Sequence, residues 1–423
     1  MPEKPTHFRW IIVAMLFLST TIVYFDRVIL GILAPRLESE MGWSEQEYGY
    51  IVFAFQMTYA IGTLLMGYLI DRLGTRLGFL LAVFIWGLAS LSHIVAKSWI
   101  GFAISRMGLG IGQAANFPAS IKTIAEWFPK KERAFATGLF NGGSNMGQIL
   151  APLIIPIILL IFLSWKFVFI FSGILSVIWL ALWFLLYKTP DTSRFVNRAE
   201  LNYIREEPEG INHMKIKWNR MILYRQTWVV ALGKLFADPV WYFYLFWGAK
   251  FLHTKFGINI NQLALPLMII YFVAYAGGIA GGGMSSWLIK KGRTANFARK
   301  ITMLTSAIFV LPVMTVPFID SLNICVIFIA LAAAAHNSWS ANIFTVASDL
   351  FPKQMVGSVI GFSTMISSAG AMVTSLLIGY ALDEAGLQGY IFPFVIAAFG
   401  YFAGLFIIHR LSPGMTPVKL SIT

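Results

Sequence analysis

The chain has 423 residues, of which 58% are hydrophobic and 12% charged, with a formal net charge of +13. A soluble domain carries about 25% charge, so a soluble globular protein is excluded. A single cysteine, Cys325, excludes an internal disulfide and a cysteine-based metal site. The positive balance falls in short loops between apolar runs, so it points to a membrane surface and not to nucleic acid.

Twelve apolar segments follow one another, near 9–33, 47–70, 77–96, 99–127, 132–162, 165–187, 226–252, 261–289, 299–319, 322–348, 355–382 and 390–410. About 20 apolar residues cross a bilayer as a helix, so the expected fold is an all-α integral membrane protein with twelve transmembrane helices. The first segment lacks a small-residue cleavage site and is too long for a signal core, so no cleavable signal is expected. The one long polar connection divides the chain into a six-helix bundle (1–187), a linker (188–225) and a second six-helix bundle (226–423). Lysine and arginine concentrate in DRLGTR, FPKKER, the linker, KKGRTANFARK and the tail. The positive-inside rule therefore places both termini in the cytoplasm, and the expected location is the inner cell membrane, multi-pass.

The halves echo each other. An offset of 223 residues superimposes Phe128-Pro129-Lys130 on Phe351-Pro352-Lys353, Gly138 on Gly361 and Gly147 on Gly370. The bundles are thus expected to be pseudo-symmetric, with a substrate site near the midplane, as in repeat-built transporters. GGIAGGG (277–283) and NGGSNMG (141–147) are expected to be close-packing helix faces.

Two arginines lie inside apolar segments: Arg27 in YFDRVIL and Arg106 in AISRMGL. A guanidinium there costs roughly 2.5–3.5 kcal/mol, so such residues face protein or a wet cavity. Each sits about seven residues from the outer end of its segment, roughly 10 Å deep at 1.5 Å per residue. Together they suit a carboxylate, whose two oxygens match the guanidinium fork. Pairing with an internal acid is the structural alternative, and Asp26 beside Arg27 makes it real. Asp26 is the candidate proton-coupling group; a static ion pair with Arg27 is the other reading. Gln113 lies seven residues after Arg106, on the same helix face.

Further polar groups fall near the midplane: Tyr59, Asn145, then Trp241 and Tyr242 after the helix-disturbing Pro239, then His336, Asn337 and Trp339, then Ser367 and Ser368. Aromatic rings beside amides and hydroxyls suit a sugar, although any single one of them fits ordinary helix packing. His336 occupies the repeat position equivalent to Gln113. Lys234 and Asp238, spaced i,i+4, are expected to pair. No phosphate-binding loop, nucleotide fold or metal cluster is present in the sequence, so no cofactor, metal or enzymatic activity is expected.

Gly67, Asp71, Arg72, Gly74 and Arg76 form G-x-x-x-D-R-x-G-x-R between the second and third segments. In that position, with twelve helices and a 6+6 repeat, the loop resembles the major facilitator superfamily. The resemblance implies that Asp71, Arg72 and Arg76 join a gating charge network. YFDR, QAANFPASIKTIAEWFPKKERAFATG, DPVWYFYLFW and AHNSWSANIFTVASDLF resemble the anion:cation symporter branch, above all bacterial hexuronate permeases and galactonate–proton symporters. This implies Asp26 and Arg27 as the coupling acid and carboxylate-binding arginine, Arg106 as the arginine of the fourth span, and Asn145 where galactonate carriers place a glutamine. Such carriers usually carry a proton-coupling glutamate where this chain has Gln113, so the resemblance implies either coupling through Asp26 alone or an engineered Glu→Gln change that mimics the protonated state. The expected function is import of a hexuronate-like monoanion with protons, by alternating access, as a monomer in the lipid bilayer. The rivals are an organic-anion or phosphate-ester exchanger and, in another class, a non-transporting receptor or scaffold.

Overall fold

The structure is a computed structural model and describes residues 4–205 and 221–418, apart from the side chains of Leu64, Asp71, Lys130, Ala134, Lys353 and Gln354. Among the described residues the regular structure is helical, without strands. In hydrocarbon no water satisfies backbone N–H and C=O groups, so an uninterrupted helix is the natural state of each apolar run.

The helices are α1 (Arg9–Met41), α2 (Glu45–Ser92), α3 (Trp99–Gln113), α4 (Asn116–Trp127), α5 (Lys130–Phe162), α6 (Lys166–Leu186), the short α7 (Arg198–Ile204), α8 (Arg225–Leu235), α9 (Asp238–Phe256), α10 (Ile260–Lys290), α11 (Ala295–Val310), α12 (Leu322–Leu350), α13 (Lys353–Ala385) and α14 (Ile391–Leu411). Nine stretches among the described residues are long and apolar enough to cross a membrane, and one of them, Met355–Leu411, contains two helices. The expected segment near 47–70 lies within α2, and that near 99–127 is divided between α3 and α4.

Three local features set the boundaries. α2 runs through two of the expected segments and kinks at Gly74, where φ is 77° and ψ 159°, a backbone conformation that suits glycine. The fourth segment is broken into α3 and α4. Pro118 has no N–H to bond the Ala114 carbonyl, and α3 ends at Gln113. Pro239 does the same to Leu235, and α8 ends there, as its position in the sequence implied.

The chain forms two compact units. The first comprises Met1–Leu30 and Met57–Asn212. In it the glycine face of α5 lies against α1: a Cβ on Gly143 would come within 2.3 Å of the Phe17 carbonyl oxygen, and one on Gly147 within 2.3 Å of that of Thr21. Linker helix α7 docks beneath α1. The buried Glu200 carboxylate accepts from the Phe8 and Arg9 backbone N–H groups at 2.9 and 3.2 Å, from Thr6 and from Arg9 Nη1 at 3.0 Å. It thereby caps the start of α1.

The second unit comprises Gly31–Gln56 and His213–Thr423. The ends of α1 and α2 that face each other across the first turn therefore pack with the helices from α8 onward. Lys250 is buried and pairs with both Glu38 and Glu45. The Asp383 carboxylate accepts from the Glu45 and Gln46 N–H groups at 2.8 and 3.0 Å. α10 and α12 meet through small residues: a Cβ on Gly277 would lie 2.4 Å from Ala334 Cα. Large apolar side chains such as Leu65, Phe84, Leu160, Phe272 and Phe406 point outward, as lipid contact requires.

Candidate functional site

In the first unit the residues singled out in α1 and α3 come together. Asp26, Arg27, Arg106 and Gln113 are all at least 97% buried. Gln113 stands between Arg27 and Asp26. Its carboxamide oxygen accepts from Arg27 Nε at 3.2 Å, and its NH2 donates to Asp26 Oδ2 at 3.3 Å. The other carboxylate oxygen accepts from the Ser172 hydroxyl of α6. Arg106 Nη1 donates to the Asp26 backbone carbonyl at 3.3 Å. The Arg27 guanidinium also lies over two rings, 4.7 Å from that of Tyr24 and 4.5 Å from that of Tyr59. Cation–π contact of this kind holds the planar fork in a fixed attitude while leaving its edge able to hydrogen-bond.

The cluster combines fixed positive charge with one buried acid. Two guanidiniums lie within electrostatic reach of one carboxylate. A neutral amide and a hydroxyl satisfy that carboxylate. Asn145, on α5, is half-buried and makes no hydrogen bond to the cluster among the described residues. One turn beyond Gln113, Asn116 ties α4 to α1: its NH2 donates to Thr20 Oγ1 at 3.0 Å and its oxygen accepts from Ser19 Oγ at 2.9 Å.

At the other end of the same unit lies the G-x-x-x-D-R-x-G-x-R loop. The Asp71 side chain is outside the described residues. Arg72 stacks over the Tyr68 ring at 4.6 Å, and Arg76 donates to the Phe184 carbonyl at 2.8 Å. Lys122 donates to the Ile70 carbonyl at 3.1 Å. An acid that received no role in the sequence reading, Glu126 of α4, accepts from Thr75 at 2.7 Å and Tyr187 at 2.6 Å.

In the second unit His336 stacks flat on Trp241, with ring centroids 4.9 Å apart and 11° between planes, and shares a 2.8 Å hydrogen bond with the Tyr401 hydroxyl. Asp238 Oδ2 accepts from Lys234 at 2.8 Å, the expected pair, and from Ser367 at 2.6 Å. Tyr242 lies parallel to Phe246 at 6.1 Å. Asn337 is half-buried. The Ser368 hydroxyl is buried without a hydrogen-bond partner among the described residues, as is that of Tyr244. Trp339 is buried, and its indole N–H donates to the Gly233 carbonyl at 3.0 Å, which anchors α12 to α8.

Three participants, Ser172, Tyr24 and Tyr401, were not singled out from sequence. Ser172 and Ser176 stand four apart in the otherwise apolar FVFIFSGILSVIWL, a spacing that marks one face of α6 and could have been read. Tyr401 in AAFGYFAGLF carries no comparable signal.

The sequence profile of the Major Facilitator Superfamily matches residues 16–375. The chain is similar to the hexuronate transporter of Escherichia coli (strain K12), with 28% identity over 386 residues, 90% of this chain and 89% of that protein. It is also similar to the D-galactonate transporter of Escherichia coli O6:H1, with 27% identity over 394 residues, 90% of this chain and 91% of that one. Its fold is similar to that of a bacterial homolog of the human lysosomal transporter Spinster in its inward-facing and occupied conformation. The TM-score is 0.77 at 19% identity, covering 98% of this chain and 99% of that one.

Proposed function

The chain belongs to the Major Facilitator Superfamily, and from that premise we propose that it imports a sugar-acid monoanion, hexuronate-like, together with protons. It is a multi-pass membrane transporter and not an enzyme, as its relatives along nearly its whole length are. The observation that carries the proposal is the buried set of Arg27, Arg106, Asp26 and Gln113 in one unit. Arg27 and Arg106 bind the substrate carboxylate, Tyr59 and Asn145 flank it, and Asp26 exchanges the proton. Trp241, Tyr242, His336, Asn337, Trp339, Ser367 and Ser368 supply ring faces and polar groups of the kind that bind sugar hydroxyls. Asp71, Arg72 and Arg76 gate the end of the first unit. The relatives named for hexuronate and galactonate support a substrate that combines a carboxylate with a polyhydroxyl chain. Both termini lie in the cytoplasm of a cell whose inner membrane holds the transporter, by the placement of its basic loops.

The test is counterflow and proton-driven uptake in proteoliposomes with labelled glucuronate, galacturonate, galactonate, glucose and a sugar phosphate. Exchange of a sugar acid with discrimination against glucose is the expected result. Exchange of glucose at the same rate, or of the sugar phosphate alone, would overturn the assignment.

A further inference from the structure

The Gln113 amide has one orientation that satisfies both of its charged neighbours. A guanidinium only donates, and an ionised carboxylate only accepts. The carboxamide oxygen therefore faces Arg27 Nε and the NH2 faces Asp26 Oδ2. On its other oxygen Asp26 takes the Ser172 hydroxyl, and Ser90 Oγ lies 3.3 Å behind, donating to Ser172 Oγ. Ser90, Ser172 and Gln113 are almost fully buried. Around an ionised Asp26, every hydrogen in this line points at the carboxylate.

A proton on Asp26 breaks that pattern. The new acid O–H needs an acceptor, and the Gln113 NH2 facing it is a donor. Ser172 already accepts from Ser90 and would have to give up donating to Asp26 before it could serve.

Resting on the reading of this cluster as a proton-coupled carboxylate site, we propose that Gln113 is a positioning residue whose amide turns when Asp26 gains a proton, and by turning withdraws an acceptor from Arg27. Once turned, the carboxamide oxygen accepts from the Asp26 acid. Its NH2 then faces the Arg27 guanidinium, donor against donor. The guanidinium fork finds two acceptor oxygens on the incoming substrate carboxylate. Loss of the proton reverses each step. One proton is gained and lost, at Asp26; none passes through Gln113, since a carboxamide does not titrate near neutral pH. The neutral amide thus transmits the protonation state without carrying a proton.

The charged groups that face Asp26 are Arg27 of its own helix and Arg106 of α3, both fixed cations. His93, beside Arg106, has its Nδ1 engaged by the Ala89 and Ser90 carbonyls at 2.8 and 3.2 Å. Asp26 is therefore the group on this face whose charge the amide can sense.

The experiment uses the full chain in lipid, with its glutamine side-chain carbonyls labelled with carbon-13, and records acid-minus-neutral infrared difference spectra. The wild type should show a carboxylic acid band together with a shift of a glutamine carbonyl. Asp26→Asn should remove both, and Gln113→Met should remove the glutamine signal alone. A glutamine signal that survives Asp26→Asn, or an acid band without a glutamine shift, overturns the relay; so does the absence of an acid band. The Asp26→Asn comparison leaves position 113 intact, so the result does not depend on Gln113→Met folding. In parallel, substrate affinity is measured against pH. With one linked proton, wild-type affinity changes about tenfold per pH unit, and Gln113→Met should flatten this to less than about twofold. A retained wild-type slope overturns the relay. If no sugar acid binds at all, the proposed function fails, and the infrared result alone still decides the relay.

Discussion

Glu200 offers the most direct test of what fixes α1, the helix that carries Asp26 and Arg27. Its carboxylate is buried and accepts two backbone N–H groups, the Thr6 hydroxyl and Arg9 Nη1; Arg9 Nε meanwhile reaches Glu132 at 3.0 Å. Removing the acid in Glu200→Ala leaves two helix-start N–H groups without their acceptor and Arg9 with one acid in place of two. Breaking a buried pair costs about 3–5 kcal/mol. The remaining Glu132 bond sets the expected loss at the lower end, about 3 kcal/mol.

The pH dependence identifies the cause. Burial by itself would raise the Glu200 carboxyl, but the hydrogen bonds from Thr6, Phe8 and Arg9 outweigh it and hold the group below the usual carboxylate range. A depressed acid stabilises the fold fully above its unfolded value of about 4.3 and loses that contribution as pH falls through the folded value. Unfolding in detergent, followed from pH 7 downward, should therefore show the wild type and Glu200→Ala converging in acid. A difference under about 1 kcal/mol at pH 7, or one that stays constant into acid, would refute the reasoning.

Truncating either guanidinium, in Arg27→Ala or Arg106→Ala, should weaken sugar-acid binding by about 2–5 kcal/mol, more than thirtyfold by calorimetry. Lysine at either position should rescue poorly, because it lacks the bidentate fork; near-normal affinity in Arg106→Ala would remove that residue from the site. Asp26→Asn should keep substrate counterflow but lose accumulation driven by a proton gradient. Equal loss of both would favour a purely structural Asp26. In Gln113→Glu a second carboxylate would face Asp26 Oδ2 where an NH2 now sits at 3.3 Å. Like charges so close cannot both ionise freely, so the pH range over which binding changes should move from that of the wild type; an unchanged profile would show that position 113 takes no part in coupling.

Membrane spans were legible because their signal is long and compositional. Twenty apolar residues in a row need no tertiary information, and the break at Pro239 follows from a missing N–H. The break between α3 and α4 had the same cause in Pro118, yet the run 99–127 reads as continuous because composition does not change across it. The arginines, Asp26 and Gln113 stood out individually as polar groups in apolar surroundings. That Gln113 lies between Arg27 and Asp26 depends on the rotation of α1 against α3, which no spacing within either helix encodes. Ser172 was further out of reach, since it needed the register of a third helix. Glu200 looked like one more charge in a polar linker, and only docking on α1 makes it a cap.

The interposed amide has an energetic consequence for transport. An arginine locked directly onto a buried carboxylate would yield it only at about 3–5 kcal/mol, and an incoming substrate would have to match that before gaining any affinity. A single hydrogen bond between a neutral amide and a charged group contributes about 1.5–3 kcal/mol. Arg27 Nε makes one such bond, at 3.2 Å, to Gln113. A bidentate substrate carboxylate offers two charge-assisted bonds in return. If Arg27 takes the substrate carboxylate, as proposed, the exchange at this bond is favourable with substrate present and reversible without it, which is the balance a carrier needs to load on one side of the membrane and release on the other.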